Sequence, residues 1–206
     1  MLRSILLGLA ALASLQRARP VHAQDDPGFE QLFNGQDLAG WVHVGETKDA
    51  WSVKNGAMVC SGEGRGWIRP AGVYEDFILR LEYKVERGSN SGIFIRTNEE
   101  GRPAFQGMEI QIIDHPEYTT GVNATAAIYG SVAPSENTAR SPGEWNSMEI
   151  TCIGRRVAVS HNDVTVVDAS LDAYPELRQR LPRGYIGLQN HGTPVAFRGI
   201  SVNVLK

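Results

Sequence analysis

The polar residues most able to do acid–base chemistry lie within an apolar run, GMEIQIID, at residues 107–114. Side chains alternate between the two faces of a β-strand, so Glu109 and Gln111 would share one face, opposite the isoleucines between them. Asp114 falls on the isoleucine face, and only a one-residue bulge would bring it beside Glu109. The run predicts a strand face that carries a carboxyl group and an amide, joined by Asp114 if the register shifts.

Two further runs place polar side chains in the same alternating pattern. In GYIGLQNHG, residues 184–192, the side chains of Gln189 and His191 would share a face with Gly187, and a glycine there suits a surface that a ligand approaches. In SNSGIFIR, residues 89–96, the side chains of Asn90 and Arg96 would lie on the face opposite the isoleucines. An arginine at that position could donate hydrogen bonds but could not act as a base.

The candidate acid–base groups are Glu109, Asp114 and His191, because carboxylates and imidazole exchange protons most readily near neutral pH. The same three side chains could converge as oxygen and nitrogen ligands of a divalent metal ion. The sequence has no HExxH motif, cysteine–histidine cluster or calcium-loop pattern, so it leaves open whether a metal is bound.

The first 23 residues have the pattern of a secretory signal peptide, with Arg3, an apolar core and the small-residue sequence Val21-His22-Ala23. We expect cleavage near residue 23 and a secreted or periplasmic protein. Removal of residues 1–23 leaves 17 basic and 23 acidic residues, a net charge of −6, which argues against a nucleic-acid partner. No later apolar stretch approaches the length of a transmembrane helix.

Residues 24–206 are expected to form one all-β domain. Short runs rich in β-forming residues recur between glycine-rich turns, the spacing typical of a β-sandwich. FILRLEYKV alternates apolar and polar residues throughout, and VKNGAMV and VSHNDVTV predict hairpins, with His161 at the solvated tip of the second. At most one short helix is expected, near Pro175. The polar segment 131–145 is predicted to border the functional cleft.

Cys60 and Cys152 are the only cysteines. Both fall in apolar runs, and two residues alone do not determine whether they form a disulfide or remain buried thiols.

Seven blocks in order resemble the 3-keto-disaccharide hydrolase domain family: FEQLFNGQDLAGW, WSVKNGAMV, SNSGIFIR, GMEIQIID, AAIYG, GEWNSMEI and GYIGLQNHGTPVAFRGI. The resemblance extends from about Phe29 to Leu205. It implies a concanavalin A-like jelly roll, a sandwich of two curved antiparallel sheets whose concave face binds a small carbohydrate. It also implies cleavage of glycosides whose sugar ring carries a ketone at carbon 3.

A ketone at carbon 3 acidifies the hydrogen on carbon 2, so a base can form an enolate and the substituent on carbon 1 can leave by elimination. Water then adds to the product. Such a reaction needs a base, donors for the enolate oxygen and an acid for the departing oxygen. The resemblance therefore makes Glu109 the leading base, with further roles for Asp114 and His191. The predicted substrate-binding residues are Asn90, Arg96, Gln111, Tyr129, Trp145 and Gln189.

Two other functions fit the same residues. A lectin-like carbohydrate-binding module would need only the polar face, because it binds sugar without proton transfer. An ordinary endo-glycanase would need Asp114 and Glu109 about 5 to 5.5 Å apart if it retained configuration. The sequence leaves open the glycoside, its anomer and the oligomeric state.

Overall fold

Thirteen strands form two antiparallel sheets between residues 26 and 206, the part of the chain that this computed structural model describes. In chain order they are β1 (Glu30–Gln31), β2 (Trp41–Glu46), β3 (Trp51–Lys54), β4 (Ala57–Cys60), β5 (Arg65–Pro70), β6 (Phe77–Val85), β7 (Asn90–Thr97), β8 (Met108–Ile113), β9 (Asn146–Ile153), β10 (Arg156–His161), β11 (Val164–Ser170), β12 (Tyr185–Asn190) and β13 (Val195–Val204). The predicted signal peptide, residues 1–23, lies outside the described residues and stays a prediction.

The two sheets differ in size. Seven strands of the larger sheet run in the order β11-β10-β9-β6-β13-β4-β3, and β1 adds an eighth by pairing with β13. The smaller sheet has the order β2-β5-β12-β7-β8. Strands that are distant in sequence are neighbours in both sheets, so the site described below is assembled from four separate parts of the chain. The all-β prediction is confirmed.

The core between the sheets follows from strict alternation. Along β6 every second residue from Phe77 to Val85 is buried, and the residues between them are partly exposed. The facing strands β7, β8 and β12 contribute Ile93, Ile110 and Leu188 to the same core. Each such side chain stabilises the fold by roughly 1.5–3 kcal/mol relative to an exposed one. The opposite face of the smaller sheet is thereby left for other purposes.

Both predicted hairpins are present, but one turn residue is not where the sequence suggested. The β3–β4 turn has left-handed backbone at Asn55 and Gly56, and the β10–β11 turn has it at Asn162 and Asp163. His161 was expected to be solvated, yet it is 1% exposed. It is the last residue of β10 and continues the alternation of that strand, so its side chain points inward. There the Tyr83 hydroxyl group lies 2.8 Å from His161 Nε2.

Helical structure is minimal. The one α-helix among the described residues is α1 (Pro103–Gln106), and a short 3-10 turn at Pro175–Leu177 stands where the sequence predicted a short helix. The AAIYG block is a loop that bridges to Ile110 through Ile128 and not a regular strand. None of the helices in residues 26–206 is long and apolar enough to cross a membrane.

Cys60 on β4 and Cys152 on β9 are both buried, and their thiols are free. Burial raises the pKa of the Cys60 thiol, and it raises that of Cys152 to about 12, so both are neutral packing residues.

Candidate active site

A cavity of about 320 Å³ opens on the face of the smaller sheet that is turned away from the core. Its size lies within the range of roughly 300–1,000 Å³ that is usual for small-molecule sites. The residues that line it are Asn90, Phe94, Gly101, Arg102, Pro103, Ala104, Phe105, Glu109, Gln111, Tyr129, Gln189 and His191. Six of the nine predicted site residues are therefore brought together: Asn90, Glu109, Gln111, Tyr129, Gln189 and His191.

Glu109 lies on the floor of this cavity and is 5% exposed. Its side chain extends over β7 at Gly92, where an added β-carbon would collide with the carboxyl group. Burial raises the pKa of Glu109 to about 8, and the nearby Gln189 side chain opposes part of that rise. A carboxyl group with such a pKa changes protonation close to neutral pH, as a general base or acid must.

Two amides stand beside this carboxyl group with unused acceptors. The Oε1 atoms of Gln111 and Gln189 are buried and have no hydrogen-bond partner among the described residues. An unpaired buried oxygen costs about 1–3 kcal/mol. The cavity floor therefore offers hydrogen-bonding positions that a polar ligand can fill.

The polar floor of the cavity includes a position where only glycine fits. Gly187 shares its face with Gln189, and the indole ring of Trp67 lies so close across it that any β-carbon would collide with the ring. Trp67 in turn meets Phe94 edge-on, with ring centroids 5.6 Å apart. This aromatic pair supports the floor from β5 and β7, although Trp67 itself does not line the cavity.

His191 follows the end of β12 at the rim of the cavity. The preceding residue fixes it, because the Asn190 amide donates to Glu63 carbonyl oxygen at 2.7 Å and to Thr47 Oγ1 at 3.1 Å. Burial and the positive charge of Arg65 lower the pKa of His191. The imidazole is therefore neutral at neutral pH, with one donor and one acceptor nitrogen.

The opposite rim is formed by the segment between β7 and β8, which contains α1. Thr97 Oγ1 donates to Pro103 carbonyl oxygen at 2.9 Å and holds the start of the helix against the sheet. Phe105 is 42% exposed, and its ring centroid lies 6.2 Å from that of Tyr129 and 4.2 Å from the Arg102 guanidinium carbon. Aromatic and cationic groups thus stand over the polar floor.

Arg96 does not reach the cavity, contrary to its predicted alternation. The β7–β12 register shifts between Phe94 and Thr97, and Arg96 has left-handed backbone with φ 49°. The bulge sends its side chain into the interior, where it donates to Glu75 and Gly154 carbonyl oxygens at 2.7 Å each and to Asp76 at 3.0 Å. Arg96 is a buried structural cation.

Asp114 is also outside the cavity. The β7–β8 register continues unshifted to Ile113, so the bulge that would have moved Asp114 beside Glu109 is absent from β8. Its Oδ2 atom accepts from Gly88 backbone N–H at 2.8 Å and caps the neighbouring loop. Glu109 is consequently the one carboxyl group among the described residues that line the cavity.

Trp145 belongs to the other side of the molecule. Its ring packs under Arg198 and Lys84 on the outer face of the larger sheet, with Arg198 Cζ 4.0 Å from the ring centroid. The loop 131–145, which was expected to border the cleft, contacts this sheet instead, as in the 2.6 Å approach of Thr138 Oγ1 to His161 Nδ1. No residue of that loop lines the cavity.

The predicted metal-ligand set does not fit a metal ion. Asp114 is bound to the Gly88 loop and separated from Glu109, and within residues 26–206 no three histidine, cysteine, aspartate or glutamate side chains are grouped as ligands. The remaining pair, Glu109 and His191, gives too few protein ligands for a closed site.

Arg102, Phe105 and Phe94 were missed by the sequence analysis. Phe94 could have been found, because it alternates with Ile93 and Ile95 as Glu109 alternates with its isoleucines. The sequence GRPAF carries a weaker signal, since proline after a loop residue favours a helix start. Only the folded chain shows that this helix lies over β8.

Residues 28–203 match the sequence model of a protein family, the 3-keto-alpha-glucoside-1,2-lyase-like domain. The chain belongs to this family. The chain is also similar to the 3-keto-disaccharide hydrolase of Bacteroides thetaiotaomicron. The two are 26% identical over 231 aligned positions, which cover 88% of this chain and 80% of that protein.

Solved structures agree on the fold. A putative glycosyl hydrolase from Parabacteroides distasonis superposes with a TM-score of 0.76 at 22% identity, covering 87% of this chain and 95% of that one. The carbohydrate-binding module CBM66 from Bacillus subtilis gives a TM-score of 0.56 at 15% identity, with 80% and 95% covered. The concanavalin A-like sandwich predicted from the sequence is confirmed.

Proposed function

We propose that this protein is an exported carbohydrate-active enzyme that cleaves 3-keto-glycosides, with Glu109 as the base that removes the proton from carbon 2. The observation that carries the proposal is the buried Glu109 carboxyl group on the cavity floor, whose pKa is about 8. Family membership and the similarity to a 3-keto-disaccharide hydrolase support the substrate class, and the leader pattern of residues 1–23 supports export.

The first step breaks the bond between carbon 2 and its hydrogen. The Glu109 carboxylate takes the proton, and the electron pair forms an enolate with the ketone at carbon 3. Donors near the floor hold the enolate oxygen, a task for the amide nitrogens of Gln111 and Gln189 because Arg96 is elsewhere. Their unpaired Oε1 atoms accept from sugar hydroxyl groups.

The second step expels the group on carbon 1. The enolate electrons form a double bond between carbons 1 and 2 while the carbon–oxygen bond to the leaving group breaks. Neutral His191 can pass a proton to the departing oxygen and recover one from water, since it has both a donor and an acceptor nitrogen. Water then adds at carbon 1, and carbon 2 regains a proton, so the net change is hydrolysis.

The alternative functions fit less well. A retaining glycanase uses two carboxyl groups about 5 to 5.5 Å apart, whereas the lining residues supply only Glu109. A binding module would need no group that titrates near neutral pH, although the similarity to a carbohydrate-binding module makes it the second candidate.

The test is proton exchange at carbon 2. Incubation of a 3-keto-disaccharide with the protein in D₂O should give released 3-keto-sugar that carries deuterium at carbon 2, while the unoxidised disaccharide stays intact and unlabelled. The Glu109→Gln variant should bind the sugar without exchange or cleavage. Sugar binding without exchange in the wild-type protein would make it a binding module, and cleavage of the unoxidised disaccharide would make it a glycanase.

A further inference from the structure

A second cavity, of about 460 Å³, lies beside the first and shares Phe105 with it. Its remaining lining residues are mostly polar: Asn98, Gln106, Glu176, Gln179, Arg180 and Leu181. The reaction proposed above uses none of them. Phe105 borders both cavities.

Arg180 is the unusual group in this wall. It is 8% exposed, and its Nε atom is buried without a hydrogen-bond partner among the described residues. Its guanidinium makes one long hydrogen bond, from Nη1 to Ala104 carbonyl oxygen at 3.4 Å. Glu176 lines the same cavity, yet it acts on Arg180 through its charge and not through a hydrogen bond. A buried guanidinium with an empty donor is costly, so an oxygen atom from a ligand would stabilise it.

Gln106 supplies the complementary group. Its Oε1 atom is also buried and has no partner within the described part of the chain. A hydroxyl group can accept from Arg180 and donate to Gln106 at the same time, whereas a carboxylate or phosphate can only accept. An anion would also be repelled by the amide oxygen and by Glu176. The pair of unfilled atoms therefore matches an alcohol better than an acid.

The wall that carries these atoms is fixed before any ligand binds. Leu181 backbone N–H donates to Gln106 carbonyl oxygen at 3.1 Å, which joins the two sides of the cavity. The Arg155 guanidinium donates to Leu177 carbonyl oxygen at 3.1 Å and to Arg178 carbonyl oxygen at 2.9 Å. A site ordered in advance loses less entropy on binding.

We propose that the second cavity binds the leaving sugar of the substrate, with one of its hydroxyl groups accepting from Arg180 Nε and donating to Gln106 Oε1. This inference rests on the proposed function and deepens it. It makes Arg180 and Gln106 specificity-determining residues that favour a glycoside whose leaving group is itself a sugar over one with a small leaving group.

The test compares 3-keto-trehalose with methyl 3-keto-α-glucoside, which share the reacting ring and differ in the leaving group. The wild-type protein should have the higher kcat/KM for the disaccharide. Arg180→Gln should lower the ratio of the two kcat/KM values roughly tenfold to a hundredfold, and Gln106→Leu should lower it roughly fivefold. Arg178→Gln is the matched control, because Arg178 is exposed and its side chain donates to Asp172 carbonyl oxygen, outside both cavities, so its ratio should equal that of the wild type.

Each result has a definite meaning. An unchanged ratio in both Arg180→Gln and Gln106→Leu overturns the inference, even if Arg180→Gln also melts at a lower temperature. A preference for leaving groups that carry a carboxylate, abolished in Arg180→Gln, overturns it in favour of an acid-binding site.

Failure of the proposed function is recognised separately. If neither keto-glycoside is turned over, calorimetry with trehalose and methyl α-glucoside still measures the subsite. Tighter binding of trehalose that is lost in Arg180→Gln supports the second cavity as a sugar site, and equal binding of the two sugars overturns it.

Discussion

The outer faces of the two sheets are built from the same alternating pattern but treat their polar groups in opposite ways. On the larger sheet the charges neutralise one another, as in Arg198 with Glu82 and Arg80 with Glu149, both at 2.7 Å. On the smaller sheet Glu109 is buried without a cation in contact, among amides with unfilled acceptors. Polar residues that pair with one another stabilise a surface. Buried polar residues that lack hydrogen-bond partners indicate a place where a ligand can supply those partners.

Replacement of a carboxyl group should separate the two faces most clearly. Glu109→Gln removes the proposed base, and kcat for a 3-keto-disaccharide should fall about a thousandfold. Glu149→Gln removes a carboxyl group of the larger sheet and should leave kcat within twofold. Steady-state kinetics on both variants measures this, and equal losses would mean that Glu109 has no special role.

The pH dependence should sharpen the comparison next. Because the pKa of Glu109 is about 8, the carboxylate needed as base becomes scarcer below that pH. The value of kcat/KM should fall about fiftyfold between pH 8 and pH 6 and level off above pH 8. A profile that is flat from pH 6 to pH 9 would be incompatible with Glu109 as the base.

Ionisation of Glu109 should raise activity as the pH rises, but it should lower the stability of the fold. Folded Glu109 holds its proton to about pH 8, whereas an unfolded glutamate loses it near pH 4.5, so the folded state binds more protons between these values. The free energy of unfolding should therefore decrease as pH rises through this window. Glu109→Gln removes the decrease and should be more stable than the wild type at pH 9, by on the order of 5 kcal/mol, and equal to it at pH 4. Urea denaturation at the two pH values provides the measurement.

Crowding the Glu109 carboxyl group should have the next largest effect. Gly92→Ala introduces a β-carbon where that carboxyl group lies, and the displaced base should lower kcat ten- to a hundredfold. A double-mutant cycle tests the cause. If Gly92→Ala acts by moving Glu109, it should cost little further activity when added to Glu109→Gln. Full additivity of the two losses would point to a different cause.

Breaking an ion pair on the larger sheet should have the smallest effect. The Glu82–Arg198 pair is partly exposed, so Glu82→Gln should lower the free energy of unfolding by less than about 1 kcal/mol. Activity should not change. A loss of several kcal/mol in thermal or urea denaturation would show that this face depends on its charges more than we infer.

The sequence predicted the strand face of each candidate residue correctly wherever the alternation of side chains along the strand was undisturbed. Side chains along β8 and β12 alternate regularly between the core and the cavity. The expected faces are therefore found for Glu109, Gln111, Gln189 and His191. The sandwich followed from the same alternation and from the resemblance to a family.

The errors have local causes. Arg96 was misplaced because a left-handed residue at a bulge reverses strand parity, and alternation contains no information about that. Asp114 depended on a bulge that β8 does not have. Trp145 and the segment around Phe105 lie outside regular strands, so their positions depend on which sheet each loop packs against, and that is set by tertiary contacts.

The exposed edge of β8 is blocked from pairing with a strand of another copy of the chain. This strand is the last of the smaller sheet, and an uncovered edge strand can pair with another chain. The loop after it fills the edge instead: Gln111 N–H donates to Ala127 carbonyl oxygen at 3.0 Å, and Tyr129 N–H donates to Glu109 carbonyl oxygen at 2.9 Å. The strand that carries the proposed base can thus stand at the margin of the fold without becoming a template for aggregation.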